Sequence, residues 1–198
     1  MKKTSFIVMV TLAMLTAIVI PFAFHRASMD GILGLKTTQL LQNNWYINSF
    51  YIHVYLGGMA LGTGWLGFLP KIRARYPIIH KISGRIYVLC FLITAITSIP
   101  AGLYAQGGWF SKTGFVSVAL LSIITTSSGF MAIINKNVKS HRKWMAYSYA
   151  CCFAAVSLRL WIPILHLIIP DKVLVYNFVA WFSWLPNLLF VRLFVVKN

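Results

Sequence analysis

The sequence predicts an all-α integral membrane protein. It reads as one domain, residues 1–198, folded as a bundle of six transmembrane helices with both termini cytoplasmic. Three observations carry that expectation. The 198 residues are 59% hydrophobic and 10% charged, whereas a soluble globular domain is about 45–50% apolar and about 25% charged. The mean hydropathy is +0.77. Apolar stretches of bilayer-spanning length recur six times, and the loops between them alternate between cation-rich and cation-poor. The 18 Lys and Arg face two acids, Asp30 and Asp171, for a net charge of +16. On a soluble protein such a charge points to nucleic acid. Divided among short loops between apolar blocks, it is the pattern of cytoplasmic loops, and nucleic acid is not an expected partner.

The six stretches are residues 5–24, 47–69, 86–105, 113–134, 144–169 and 173–191. Each reaches the ~17–25 residues that a helix needs to cross the hydrocarbon. Lipid offers backbone amides no partner, so the spans are helices. The first follows Lys2 and Lys3 as a signal peptide's apolar run would, but it is long, and His25-Arg26 after it makes a poor cleavage site. It therefore reads as a retained helix. Residues 24–46 form the one long outer loop, whose Ile32, Leu33, Leu35, Leu40 and Leu41 suit the headgroup region. The second span is rich in glycine (Gly57, Gly58, Gly62, Gly64), a composition that serves close helix packing.

The cations set the orientation. Thirteen lie on one side: Lys2, Lys3, Lys71, Arg73, Arg75, Lys81, Arg85, Lys136, Lys139, Arg142, Lys143, Arg192 and Lys197. Arg26, Lys36, Lys112 and Lys172 lie on the other. The cation-rich side is cytoplasmic by the positive-inside rule. Trp45 and Trp109 fit the outer interface and Trp144 the inner one. Two hairpins each end in a basic inner loop followed by a histidine, His80 and then His141, which is consistent with a duplicated hairpin.

Arg159 is the loudest residue, about 22 Å into the fifth span at 1.5 Å per residue. An unpaired charge inside the bilayer costs at least about 2.5–3.5 kcal/mol, and no span contains a carboxylate. Its partners must be carbonyls, amide or hydroxyl oxygens, water or an anionic ligand, unless it snorkels outward or clamps two helices. Pro163, four residues on, cannot donate to the Arg159 carbonyl, so a kink is expected there. Depth places other polar groups nearby: Asn187 after Pro186, the hydroxyl run from Thr125 to Ser128, His53 with Tyr55, and Thr94, Thr97 and Ser98. The expected site is an outer-half pocket for an anionic or amphipathic ligand, built from Arg159, Asn187, His53, Thr126 and Tyr149. The plainer alternative is that small and hydroxyl residues only pack helices.

His80 and His141 each fall in a first helical turn, after Pro77 and a Ser140 cap respectively. With Lys81, Arg85 and Arg142 beside them they suit an anion or a lipid headgroup. Two neutral imidazoles across a bundle also suit the iron of a haem b, whereas no span has the spacing for a second haem. Cys90, Cys151 and Cys152 read as apolar filler. No Gly-rich phosphate loop, zinc-protease motif or nucleophile elbow occurs.

These residues together carry a family resemblance. His53 in its Gly-rich helix is followed by the run of residues 76–87, Tyr76-Pro77-Ile78-Ile79-His80-Lys81-Ile82-Ser83-Gly84-Arg85-Ile86-Tyr87. Then come His141-Arg142-Lys143-Trp144-Met145, the run of residues 154–160 after Tyr149, and Ser183-Trp184-Leu185-Pro186-Asn187. Over about residues 47–190 the chain resembles the bacterial membrane proteins grouped as "domain of unknown function 2306", leaving residues 1–46 as an extra helix and outer loop. The resemblance implies a multi-pass protein of the bacterial inner membrane and supplies no activity. Three functions follow as expectations. The first is a non-catalytic binding or transport protein, the second a redox protein with haem b on His80 and His141 or a quinone near Arg159, and the third an assembly scaffold. The bilayer, an anionic lipid or a small ligand is the expected partner, and any catalytic or energy-coupling subunit would be separate.

Overall fold

The computed structural model describes residues 11, 13–16 and 37–196. Most of the first expected span and of the outer loop lies outside these residues. The described residues are helical and contain no strand. The chain divides into two compact units, residues 1–101 and 102–198. Four stretches are long and apolar enough to cross a membrane: Pro77–Leu103, Gly108–Ile134, Val138–His166 and Lys172–Val195.

In the first unit a single turn, α1 (Thr38–Leu41), precedes α2 (Asn44–Gly64). The Asn43 side chain starts α2 by accepting from the backbone N–H groups of Trp45 and Tyr46, which satisfies two of the four amides a helix leaves orphaned. A 3-10 turn, Trp65–Phe68, ends it and leads to the short basic α3 (Pro70–Arg75). There Arg73 Nη1 donates to the Gly67 carbonyl at 2.8 Å, closing the loop on itself. The next helix, α4 (Pro77–Leu103), opens with the expected proline, whose missing N–H costs nothing in the first turn. Phe50 and Val54 are buried and gather Leu41, Ile47 and Ala101 around them.

The second unit begins with α5 (Gly108–Ile134), entered through Gly107 and Gly108, both at positive φ. It ends in a tight turn to α6 (Val138–Cys152). In that turn Lys136 takes a left-handed φ of 58°. Its N–H reaches the Ile133 carbonyl at 3.0 Å and the Asn137 N–H reaches the Ala132 carbonyl at 2.9 Å, the double bond of a Schellman cap. The cap of α6 is Asn137, whose side chain accepts from the Ser140 N–H at 2.9 Å, and not Ser140 as the sequence suggested. An amide oxygen at Asn137 reaches the orphaned N–H three residues on, and that places Ser140 inside the first turn.

The fifth expected span is two helices, α6 and α7 (Ala154–His166), interrupted at Phe153. Helix α7 continues through Pro163 to His166, so the interruption comes before the proline. The sixth is interrupted as well: α8 (Lys172–Phe182) gives way at Ser183 and Trp184 to α9 (Leu185–Phe190), then a π-helical turn, Val191–Val195. Helix α5 packs against both α6 and α8, and α7 packs against α8.

Candidate functional site

Small residues and hydroxyls set the register of the second unit. Gly114 of α5 lies so close to α8 that an added Cβ would stand 2.8 Å from the Ala180 carbonyl oxygen. Thr126 Oγ1 of α5 and Ser148 Oγ of α6 bond at 2.7 Å, and both residues are fully buried. The Ser111 hydroxyl bonds the Asn177 side chain, and Trp181 Nε1 donates to the Phe110 carbonyl at 3.0 Å, tying the first turn of α5 to the second half of α8. These last two ties and Arg73–Gly67 escaped sequence reasoning. The available signal was a lone amide, Asn177, in an apolar run.

Asn187 joins the two interruptions. Pro186 has no N–H, so the Phe182 carbonyl loses its helical donor. One turn of chain is thus open where Asn187 sits. Its Nδ2 donates to Ser183 O at 3.0 Å and to Ala150 O, in the last turn of α6, at 3.3 Å. Its Oδ1 accepts from the buried Ser157 of α7 at 3.1 Å. Both the donor and the acceptor end of the amide are engaged, across α6, α7 and the α8–α9 turn.

Arg159 stands elsewhere on α7. At about 100° per residue it is some 200° round the helix from Ser157, so it lies away from the Asn187 tie and shares its face with Ala155, Ile162 and His166. Its Nη1 donates to the Ala155 carbonyl at 2.7 Å, one turn back toward the start of α7. That carbonyl is its only hydrogen-bond partner among the described residues, although a guanidinium carries five N–H donors. Helical side chains lean toward the N-terminus. Here the lean draws the charge away from the nearer end of the Val138–His166 span, at His166, the opposite of snorkelling outward.

The other expected residues fall as follows. Thr126 is consumed by Ser148, and Tyr149 is buried with its ring 6.4 Å from that of Phe153. His53, in the first unit, sets Nδ1 3.1 Å from the Thr94 carbonyl. The His80 ring packs by Gly67, and its backbone carbonyl accepts from the Ser83 hydroxyl at 3.3 Å. His141 Nδ1 lies 2.8 Å from the Gly129 carbonyl of α5. Lys81, Arg85 and Arg142 are exposed. Among the described residues no three His, Cys, Asp or Glu side chains converge to hold a metal ion.

Apolar helices of membrane-crossing length, held together by internal polar ties, define a multi-pass helical membrane protein. The chain belongs to the family described as "Predicted membrane protein (DUF2306)", whose profile matches residues 50–195. No curated protein and no solved structure matches the chain.

Proposed function

We propose that this protein is a non-catalytic binding or transport protein of the bacterial inner membrane that takes an anionic or amphipathic ligand at Arg159. The observation that carries the reading is the guanidinium leaning back along the span with one neutral carbonyl for a partner among the described residues. Val138–His166 spans 29 residues, roughly 43 Å at 1.5 Å per residue. Centred on a bilayer, it puts the Arg159 Cα about 10 Å from the mid-plane, and the backward lean brings the guanidinium to roughly 5–7 Å. One carbonyl does not neutralise a charge at that depth, where leaving it unpaired costs at least about 2.5–3.5 kcal/mol. Asp30 and Asp171 are the only acids in the chain and neither lies in a span, so the counter-charge comes from outside the chain. His166, exposed on the same face at the helix end, extends the basic character toward the surface.

Six spans and cytoplasmic termini complete the proposal, supported by the charge alternation, by the length of α2 (21 residues, about 30 Å) and by the apolar run of residues 5–24. On that topology Lys81, Arg85 and Arg142 meet the anionic headgroups of the inner leaflet.

The test is equilibrium binding to protein in nanodiscs, with radiolabelled phosphate, acetate and oleate as probes. The wild type is expected to bind at least one, and Arg159→Gln to lose that binding at least tenfold while keeping its elution profile and Tm. Equal binding by Arg159→Gln, or no binding of any probe by the wild type, refutes the reading. A lowered Tm in Arg159→Gln without any anion bound favours a helix-packing role.

A further inference from the structure

We propose a second site, independent of Arg159, at the start of α6: His141 Nε2 is an axial ligand for the iron of a b-type haem. A carbonyl only accepts, so the 2.8 Å contact between His141 Nδ1 and Gly129 O places a proton on Nδ1. In the neutral ring Nε2 then carries the lone pair. This bond to a backbone carbonyl is how metal-ligating imidazoles are held: it fixes the tautomer and the ring plane and raises the basicity of the other nitrogen.

The bond also sets where that nitrogen lies. The two ring nitrogens diverge, so Nε2 is turned away from the α5 backbone. At Gly129 itself α5 and α6 are in close contact, since a Cβ added there would meet Met145 Sδ at 2.7 Å. A ligand therefore approaches His141 from the side facing away from Gly129. His141 is half-buried and its Gly129 bond is its only hydrogen bond among the described residues.

The chemistry of the neighbours selects the metal. Among the described residues His141 belongs to no group of three or more His, Cys, Asp or Glu side chains placed to hold a metal ion. A bare zinc or copper ion needs three or four protein ligands. A metal held by a lone imidazole must bring its own equatorial ligands, as iron in a porphyrin does. A porphyrin also carries two carboxylates, and exposed Lys139, Arg142 and Lys143 surround His141 in sequence with no acid beside them.

The experiment is reconstitution of the detergent-purified full chain with haemin, followed by oxidised and dithionite-reduced absorption spectra and haem quantification against protein. The wild type is expected to take up one haem per chain, with a Soret band that sharpens and moves on reduction. His141→Ala is expected to lose occupancy by about tenfold or more. His141→Gly is expected to regain the spectrum when free imidazole is added, which a purely packing histidine would not show. A folded wild type without a Soret band overturns the proposal, and so does a His141→Ala spectrum identical to wild type. Should His141→Ala fail to fold, His141→Met decides: altered reduced bands support ligation by residue 141, and unaltered bands overturn it.

Discussion

Replacing Gly114 by alanine measures how much of the second unit rests on close approach between α5 and α8. The new Cβ would stand 2.8 Å from Ala180 O, 3.0 Å from Ala180 C and 3.0 Å from Trp181 Nε1, whereas ordinary contact begins at 3.4 Å. Two of these three atoms are backbone and cannot rotate away, and the third is held by its bond to Phe110 O. The helices must part by about half an ångström. Overpacking of this kind costs about 1–3 kcal/mol, and loss of the indole hydrogen bond adds about 0.5–1.5 kcal/mol. Alanine's better helix propensity returns about 0.5–1 kcal/mol. The net expectation is a loss of about 0.5–4 kcal/mol. Gly84 of α4 is the control, because nothing lies within 4 Å of the position its Cβ would take. There only the propensity term applies, and Gly84→Ala is expected to stabilise by about 0.5–1 kcal/mol. Reversible unfolding in mixed micelles, followed by tryptophan fluorescence, compares the two. The reasoning fails if Gly114→Ala is as stable as wild type, or if both variants move in the same direction.

Three further outcomes follow from the ties. Asn187→Ala strips partners from Ser157 and from the Ala150 and Ser183 carbonyls, and should cost about 1–3 kcal/mol in the same unfolding assay; a change under half a kcal/mol would mean that water replaces the amide. Thr126→Val and Ser148→Ala remove one buried bond from either end, so a double-mutant cycle should show coupling of about 0.6 kcal/mol and at most about 1.7; strict additivity contradicts the bond. Lys136→Gly relieves a left-handed residue in a Schellman cap and should stabilise by about 1 kcal/mol, an inference that a lower Tm would defeat.

Four of the spans were legible in the sequence because lipid imposes length and hydrophobicity on any span, and Pro77 marks a true helix start. Their faces were not legible. A span that is apolar all round gives no periodic stripe to say which side meets protein, so residues at equal depth were grouped as though they shared a pocket. Arg159 and Asn187 show this: Asn187 bonds Ser157, which lies some 200° round α7 from Arg159. The interruptions were hidden for a related reason. Pro163 announces a break and α7 runs through it, while Phe153, with no breaker in its type, is where α6 ends. What the sequence lacks there is the long-range donor, Asn187, that takes up the Ala150 carbonyl.

The polar inventory narrows what the fold leaves available for function. In lipid a hydroxyl that only packs is expected to turn back on its own helix, and most here do. Thr94 bonds Cys90 O, Thr97 bonds Ile93 O, Ser122 bonds Val118 O and Thr125 bonds Leu121 O. Thr126 is spent on Ser148 and Ser157 on Asn187. The hydroxyl run of residues 125–128, which looked like the wall of a pocket, is thus in large part helix packing. Arg159 does not fit this pattern, since its back-bond to Ala155 uses one donor of five and leaves the charge uncompensated. His141 does not fit it either, since the bond to Gly129 orients the ring and engages only one of its nitrogens. The two proposals therefore rest on Arg159, for an anion, and on His141, for a haem iron. These two groups lie 18 residues apart along one interrupted span, at different depths, so each can be removed without touching the other. Separate loss of anion binding in Arg159→Gln and of haem in His141→Ala would identify two sites, whereas loss of both in either variant would refute their independence.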